Sequence, residues 1–253
     1  MSDQAAPAPE PVPSPAAAPG PVPGPAATPP TSASMLAYAY AHKVAPPPAR
    51  LMPSKPVPCA GPDVHVSRND LAVILLHVAM WDLQRRGRIR LEDVEKKVLF
   101  VKQHALKVRV MPGATPEGEV ADSLEYDLLR AAVGASGEGD VRDVVRRLYP
   151  GDVEDPYARA LAMANPALIA AGVIRLDVEE RSGLGRLRGG KKETLMWQCD
   201  RVGALVSAYN AFVADWVRDR DSNRAEYDRL HKEIDRAIAS RKKEHCESIL
   251  DVD

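Results

Sequence analysis

The sequence predicts a mainly α fold with short β-hairpins: tandem winged-helix-like units followed by a long C-terminal helical segment. Three observations lead there. First, residues 70–83 form a run that is apolar on nearly every helical face (Leu71, Val73, Ile74, Leu75, Leu76, Val78, Met80, Trp81, Leu83), as in a helix buried on all sides. Second, this run turns at Arg85-Arg86-Gly87-Arg88 into Ile89-Arg90-Leu91-Glu92, and the same plan returns at Pro166 to Asp177, where an apolar helix ends at Gly172 and Ile174-Arg175-Leu176-Asp177 follows. A repeated helix, glycine and strand points to two related units packed together. Third, the chain from Val202 carries apolar residues at three-four spacing (Val202, Val206, Tyr209, Val213, Trp216), the seam of a coiled coil.

Residues 1–62 hold 18 of the 23 prolines and five charged residues. Such a stretch favours extended polyproline II and buries little, so a disordered Pro/Ala-rich arm is expected there. Within it lies an apolar island, Met35 to His42. It is read either as a transient turn of helix or as a segment that docks on the domain or on a partner. The core is expected over 63–200 and the helical segment over 201–253.

Ser67 is a plausible N-cap for the first buried helix, with Asp70 favourable in its first turn. That helix is too short to span a bilayer, because Asp70 and Asp82 bound far fewer than the roughly twenty apolar residues needed. His77 in its middle reads as a satisfied core residue. Lys107-Val108-Arg109-Val110 alternates and reads as the strand closing a small hairpin that Ile89-Arg90-Leu91 opens. Met111 to Pro116 is a loop.

The second unit starts near Ser123. Leu124 to Val133 carries one apolar stripe, glycines from Gly134 to Gly139 break it, and Asp140 caps a short helix to Leu148. Asp155 followed by Pro156 marks another helix start. Asn165-Pro166 either kinks that helix or caps a new one ending at Ala171-Gly172. Val173 to Val178 and Thr194 to Trp197 are strands, joined by a polar glycine-rich tip from Arg181 to Lys192. In the tail, Tyr227, Leu230, Ile234 and Ala237 or Ile238 resume the seam after a polar stretch from Arg218 to Glu226. The polar stretch suggests that the segment is two helices; it is read either as one helix packing back on the domain followed by a solvated tail or as a coiled coil that joins a homodimer. His231 and His245 are expected in solvent.

The junctions GRIRLE after the first apolar helix and AAGVIRLD after the later one resemble those of the Golgi phosphoprotein 3 family, over roughly Asp70 to Trp197. The resemblance implies a mostly helical architecture and, from the family's characterised eukaryotic members, peripheral binding of phosphoinositide headgroups. Aligned on the junctions, the family's basic headgroup residue in the first helix falls near Leu76. Its later pair falls near Ala158 and Leu161, with Arg159 the nearest base. The resemblance therefore implies architecture more than headgroup recognition. The charged segment after Asn223 also departs from the family's apolar C-terminal region.

Two basic clusters are the anion-binding candidates: Arg85, Arg86 and Arg88 (with Arg90), and Arg181, Arg186, Arg188, Lys191 and Lys192 at the hairpin tip. Five cations among four glycines suit a loop that grips phosphates. The glycine spacing is not that of a nucleotide P-loop, and neither G-x-S-x-G nor H-E-x-x-H occurs. Net charge is −1, so no global field recruits nucleic acid or membrane. Three scattered cysteines, Cys59, Cys199 and Cys246, suggest no disulfide framework or metal site and suit a reducing compartment. The chain lacks the pattern of a signal peptide.

The expected function is a non-catalytic interaction or scaffold module, cytoplasmic, engaging an unidentified protein partner, without cofactor or metal. The alternatives are a peripheral anionic-lipid binder and, more distantly, a winged-helix DNA-binding regulator. The last suffers because the candidate recognition helices Tyr157 to Ala164 and Asn165 to Ala171 hold only Arg159, while Asp140 to Leu148 holds Arg142, Arg146 and Arg147 among Asp143 and its apolar face.

Overall fold

The computed structural model describes residues 31–46, 56–58, 65–98, 101–149, 153–180 and 191–250. The described chain is mostly helical with small antiparallel sheets. At its centre is α3 (Arg68–Arg85), whose residues from Leu71 to Met80 are all buried. A helix without a polar face needs neighbours on every side. It has them in α1 (Ala33–Ala39), α4 (Leu124–Val133), α6 (Pro156–Ala170) and α9 (Arg224–Leu250). Ser67 caps α3 by accepting from the Asp70 backbone N–H. Ser123 and Asp155 do the same for α4 and α6, through the N–H groups of Tyr126 and Ala158.

Both helix-to-hairpin junctions are built alike. Gly87 and Gly172 have φ of +66° and +69°, and no atom lies where a Cβ would be, so it is the left-handed backbone that asks for glycine. Arg88 N–H reaches back to Leu83 O at 2.8 Å and Val173 N–H to Leu168 O at 2.9 Å. This six-residue closure ends each helix and aims the chain into a strand.

The hairpins that follow are longer than the sequence suggests. After the short antiparallel pair β1 (Pro56–Pro58) and β2 (His65–Ser67) ahead of α3, β3 (Ile89–Val98) pairs with β4 (Val101–Val110) over ten residues each. β6 (Ile174–Glu180) pairs with β7 (Lys191–Trp197). β5 (Glu138–Asp140) adds to the free edge of β4, Lys107 opposite Asp140, so the second unit completes the sheet of the first. Asp140 accordingly stands at the N-cap of α5 (Val141–Arg147) without a side-chain capping bond. Pro166 neither ends nor restarts a helix: α6 runs through it. Pro166 and Ala162 are both exposed, so the carbonyl that loses its partner is on the solvent side, where water can replace the bond.

One open reading is decided and one expectation is corrected. The island in the N-terminal arm is docked. α1 and α2 (Ala41–Val44) carry Met35, Ala37, Tyr38 and Ala39 into the core. Ser34 donates from its backbone N–H (2.8 Å) and its hydroxyl (2.7 Å) to the carboxylate of Glu125, which is fully buried. Tyr40 stacks on Tyr209, ring centroids 4.1 Å apart, and its hydroxyl donates to Val202 O. The average composition of residues 1–62 suits a disordered arm, whereas this local run carries enough apolar surface to bury.

In the C-terminal seam Val202, Tyr209 and Trp216 are buried as expected, while Leu205 and Phe212 take the places expected of Val206 and Val213. After α7 (Cys199–Ala204), α8 (Val206–Ser222) buries Tyr209, Phe212 and Trp216, continuing a line from Val202 and Leu205, while Val206 is 45% exposed. Bulk decided between Phe212 and Val213, because Phe212 and Trp81 meet edge to face at 6.0 Å. On α9, Leu230, Ile234, Ala237 and Ile238 are buried, and that helix packs on α3, α5 and α6. The residues that would make a coiled coil with a second copy thus serve the chain's own core. His231 is not in solvent either: it is half-buried and stacks on Tyr227.

Candidate functional site

The first basic cluster is spent inside the molecule. α3 ends with Arg85 and turns at Gly87, and acids surround the three guanidinium groups. Arg86 pairs with Asp82 (2.8 Å) and with Glu119. Arg88 pairs with Glu119 (2.9 Å). Arg85 pairs with Asp82 (3.2 Å) and Asp215 (3.5 Å) while lying 5.2 Å over the Trp81 ring. The Asp82 and Glu119 side chains are 7% and 1% exposed, and carboxylates so placed need their cations. A Cβ on Gly118 would fall 1.9 Å from an Arg88 nitrogen, so glycine is what lets that guanidinium lie along the loop. This arrangement pins the 115–119 loop to α3 and leaves no cationic surplus for a phosphate. Arg90 turns to Glu92 at 3.6 Å.

Of the second cluster, Arg181, Arg186 and Arg188 lie outside the described residues. Lys191 and Lys192 open β7, opposite Glu180 and Glu179. The β6–β7 hairpin that carries this tip is where the surface is unusual. Large exposed apolar residues among the described ones are Val133, Ile169, Leu176, Val178, Met196 and Val206. All but Val133 fall between the end of α6 and the start of α8. Leu176, Val178 and Met196 are 40%, 45% and 49% exposed.

Pairing explains how this corner is built. Leu176 stands opposite Leu195, and Met196 opposite Arg175, so both faces of the hairpin present apolar side chains. Its base is fixed: Val173 and Ile174 are buried, Gln198 N–H donates to Val173 O, and Trp197 meets the Tyr38 ring edge-on at 5.7 Å. Apart from its mate strand, β6 packs chiefly on α6. Exposed Arg175 flanks the apolar residues, 4.0 Å from Asp177. An apolar projection on a fixed base, with cations at its side and in its connecting loop, is suited to docking.

Sequence reasoning found the tip but missed Leu176, Val178 and Met196, since alternation in a strand implies that one face is buried. The signal was present in the hairpin's position. No strand other than β7 pairs with β6 among the described residues.

Elsewhere, no group of three His, Cys, Asp or Glu side chains that could hold a metal is found among the described residues. None of the described helices is long and apolar enough to cross a membrane. No protein-family model matches the chain, and no curated protein or solved structure matches it.

Proposed function

We propose that this chain is a non-catalytic interaction module that docks peripherally on an anionic membrane surface through the β6–β7 hairpin. The observation that carries the reading is the exposure of Leu176, Val178 and Met196 on a hairpin whose connecting loop holds Arg181, Arg186 and Arg188 and whose return strand begins with Lys191 and Lys192. Apolar side chains gain by leaving water for the acyl boundary, and each nearby cation adds about 1 kcal/mol at an anionic surface. With a net charge of −1, that attraction has to be local.

The finer architectural reading, tandem winged-helix-like units, is supported by the matched glycine junctions and by the order α4-β5-α5-α6-β6-β7. The resemblance to the Golgi phosphoprotein 3 family favours the same function by a different route. Leu76 and Leu161, at the family's headgroup positions, are buried apolar residues, so binding would rest on the hairpin. A DNA-binding role draws less support: α6 offers only Arg159, and on α5 Arg142 pairs with Glu233 and Arg146 with Ser240. The homodimer reading loses its seam to the core, as described above.

Vesicle flotation tests the proposal, using phosphatidylcholine vesicles with and without phosphatidylserine. Wild type should float only with the anionic vesicles, and less as salt rises. Leu176→Asp combined with Val178→Asp should abolish flotation and leave the circular dichroism spectrum unchanged. Arg186→Glu, Arg188→Glu and Lys191→Glu together should do the same. Failure of wild type to float at low salt would sink the membrane reading. Retention of a random DNA duplex instead would favour the regulator.

A further inference from the structure

Only Asn223 separates α8 from α9. Beside this break lies a cavity of about 290 Å³, bounded by α3, β3 and the two helices. Its inner wall is made of rings and aliphatic side chains: His77 and Trp81 from α3, Leu91 from β3, and Tyr227 and Leu230 from α9. The His77 and Tyr227 ring centroids are 4.0 Å apart, and the His231 ring completes a cluster at 5.9 Å from His77 and 6.4 Å from Tyr227.

Each charged group at the rim has a partner, though not in one another: the two acids take neutral donors and the two bases take acids outside the cavity. Trp81 Nε1–H donates to Asp219 at 2.9 Å, and the Gln84 amide donates to Glu226 at 3.3 Å. Arg85 is held by Asp82 and Asp215, and Arg220 by Asp221. Two acids, Asp219 and Glu226, face two bases, Arg85 and Arg220, so the lining has no net charge. His77 differs. It is 1% exposed, it lines the cavity, and its Nδ1 is buried without a hydrogen-bond partner. Buried polar atoms are seldom left so, and such an orphan asks for a partner.

We propose that this cavity binds an uncharged planar heteroaromatic molecule of one or two fused rings, seated among His77, Trp81 and Tyr227 and hydrogen-bonded to the His77 ring. The volume is just below the range of about 300–1,000 Å³ usual for small-molecule pockets, which limits the guest's size. Three surrounding rings favour a flat aromatic guest. With two acids and two bases in the lining, an ionic guest finds no surplus counter-charge to offset its desolvation. Burial, and secondly the nearby His231, push the His77 pKa down to about 3. The imidazole is therefore neutral at ordinary pH and presents one N–H and one lone pair. This site is separate from the hairpin corner and stands whether or not that corner meets a membrane.

Titration of the full chain with indole, naphthalene and indole-3-acetate, followed by ligand-observed NMR, tests the assignment. Indole should bind. Naphthalene, with the same shape and no N–H, should bind roughly five- to tenfold more weakly, as expected for one hydrogen bond. Indole-3-acetate should bind more weakly than indole. His77→Phe keeps the ring and removes both nitrogens, so it should erase the preference for indole over naphthalene while leaving naphthalene binding unchanged. Leu91→Trp, placed at the half-buried wall, should fill the cavity and abolish binding of both. Should that variant misfold, Gln84→Trp serves the same end. No binding of indole at millimolar concentration would overturn the proposal. So would equal binding of indole and naphthalene by wild type, or indole binding that survives the filled cavity.

Discussion

Replacing Met35 by alanine asks whether the N-terminal segment belongs to the fold. Met35 is 1% exposed and sits on α1, which packs against α3, α6 and α8. Truncating a buried methionine costs about 2–5 kcal/mol, because the transfer energy is lost and the cavity relaxes only in part. α1 is seven residues long and is held along its length by Ser34–Glu125 and Tyr40–Tyr209, so little collapse into the gap is expected and about 3 kcal/mol is a fair central value. For a domain of this size each kcal/mol moves the thermal midpoint by about 2–4 °C. Met35→Ala should therefore melt about 6–12 °C below wild type in a calorimetric scan at neutral pH. Lys43→Ala, at an exposed position nearby, should stay within about 0.5 kcal/mol. Were the two variants to melt together near wild type, α1 would be an accessory and the arm dispensable throughout.

Three further outcomes follow from groups already described. Burial raises the Glu125 pKa, against the opposing hydrogen bonds from Ser34. A carboxyl raised on folding contributes stability below its ordinary value of 4.5 and loses it as pH climbs through the folded value. Glu125→Gln should thus gain on wild type as pH rises from acid toward neutrality in paired thermal melts, and parallel curves would refute the buried carboxylate. His77 has the opposite sense: held neutral, it contributes fully above about 6.5 and progressively less as pH falls toward about 3, so His77→Phe should lose less stability than wild type across that window in urea titrations. Pro166→Ala restores an N–H that can bond the Ala162 carbonyl in mid-helix and should stabilise by about 1–3 kcal/mol, after the loss of proline's restraint on the unfolded chain; a destabilised variant would mean that the Pro166 ring makes contacts worth more than the bond.

What the sequence by itself determined is local. Ser67, Ser123 and Asp155 start helices by accepting backbone N–H groups three residues on, and Gly87 and Gly172 end them through six-residue closures. Partners so near in the chain are written beside each other, so helix limits and the repeated junction could be read directly. The all-round apolar face of α3 likewise announced a central, buried helix.

Tertiary structure decided everything that depends on distant partners. Ser34 is explained only by Glu125, 91 residues away. The Arg86 and Arg88 charges are met by Glu119 and that of Arg85 by Asp215, and no local pattern ties those residues together. Between Tyr209 and Trp216 it is Phe212 rather than Val213 that is buried, against Trp81, since either fits three-four spacing until a bulky ring chooses. The cluster of His77, Tyr227 and His231 rings joins α3 to α9, turning a lone core histidine into the floor of a cavity. At the β6–β7 hairpin the same rule works in reverse: the strands alternate as if one face were covered, yet no described element covers it, and Leu176, Val178 and Met196 remain exposed. Burial belongs to the assembled fold, because whether an apolar side chain is hidden depends on what the rest of the chain brings against it.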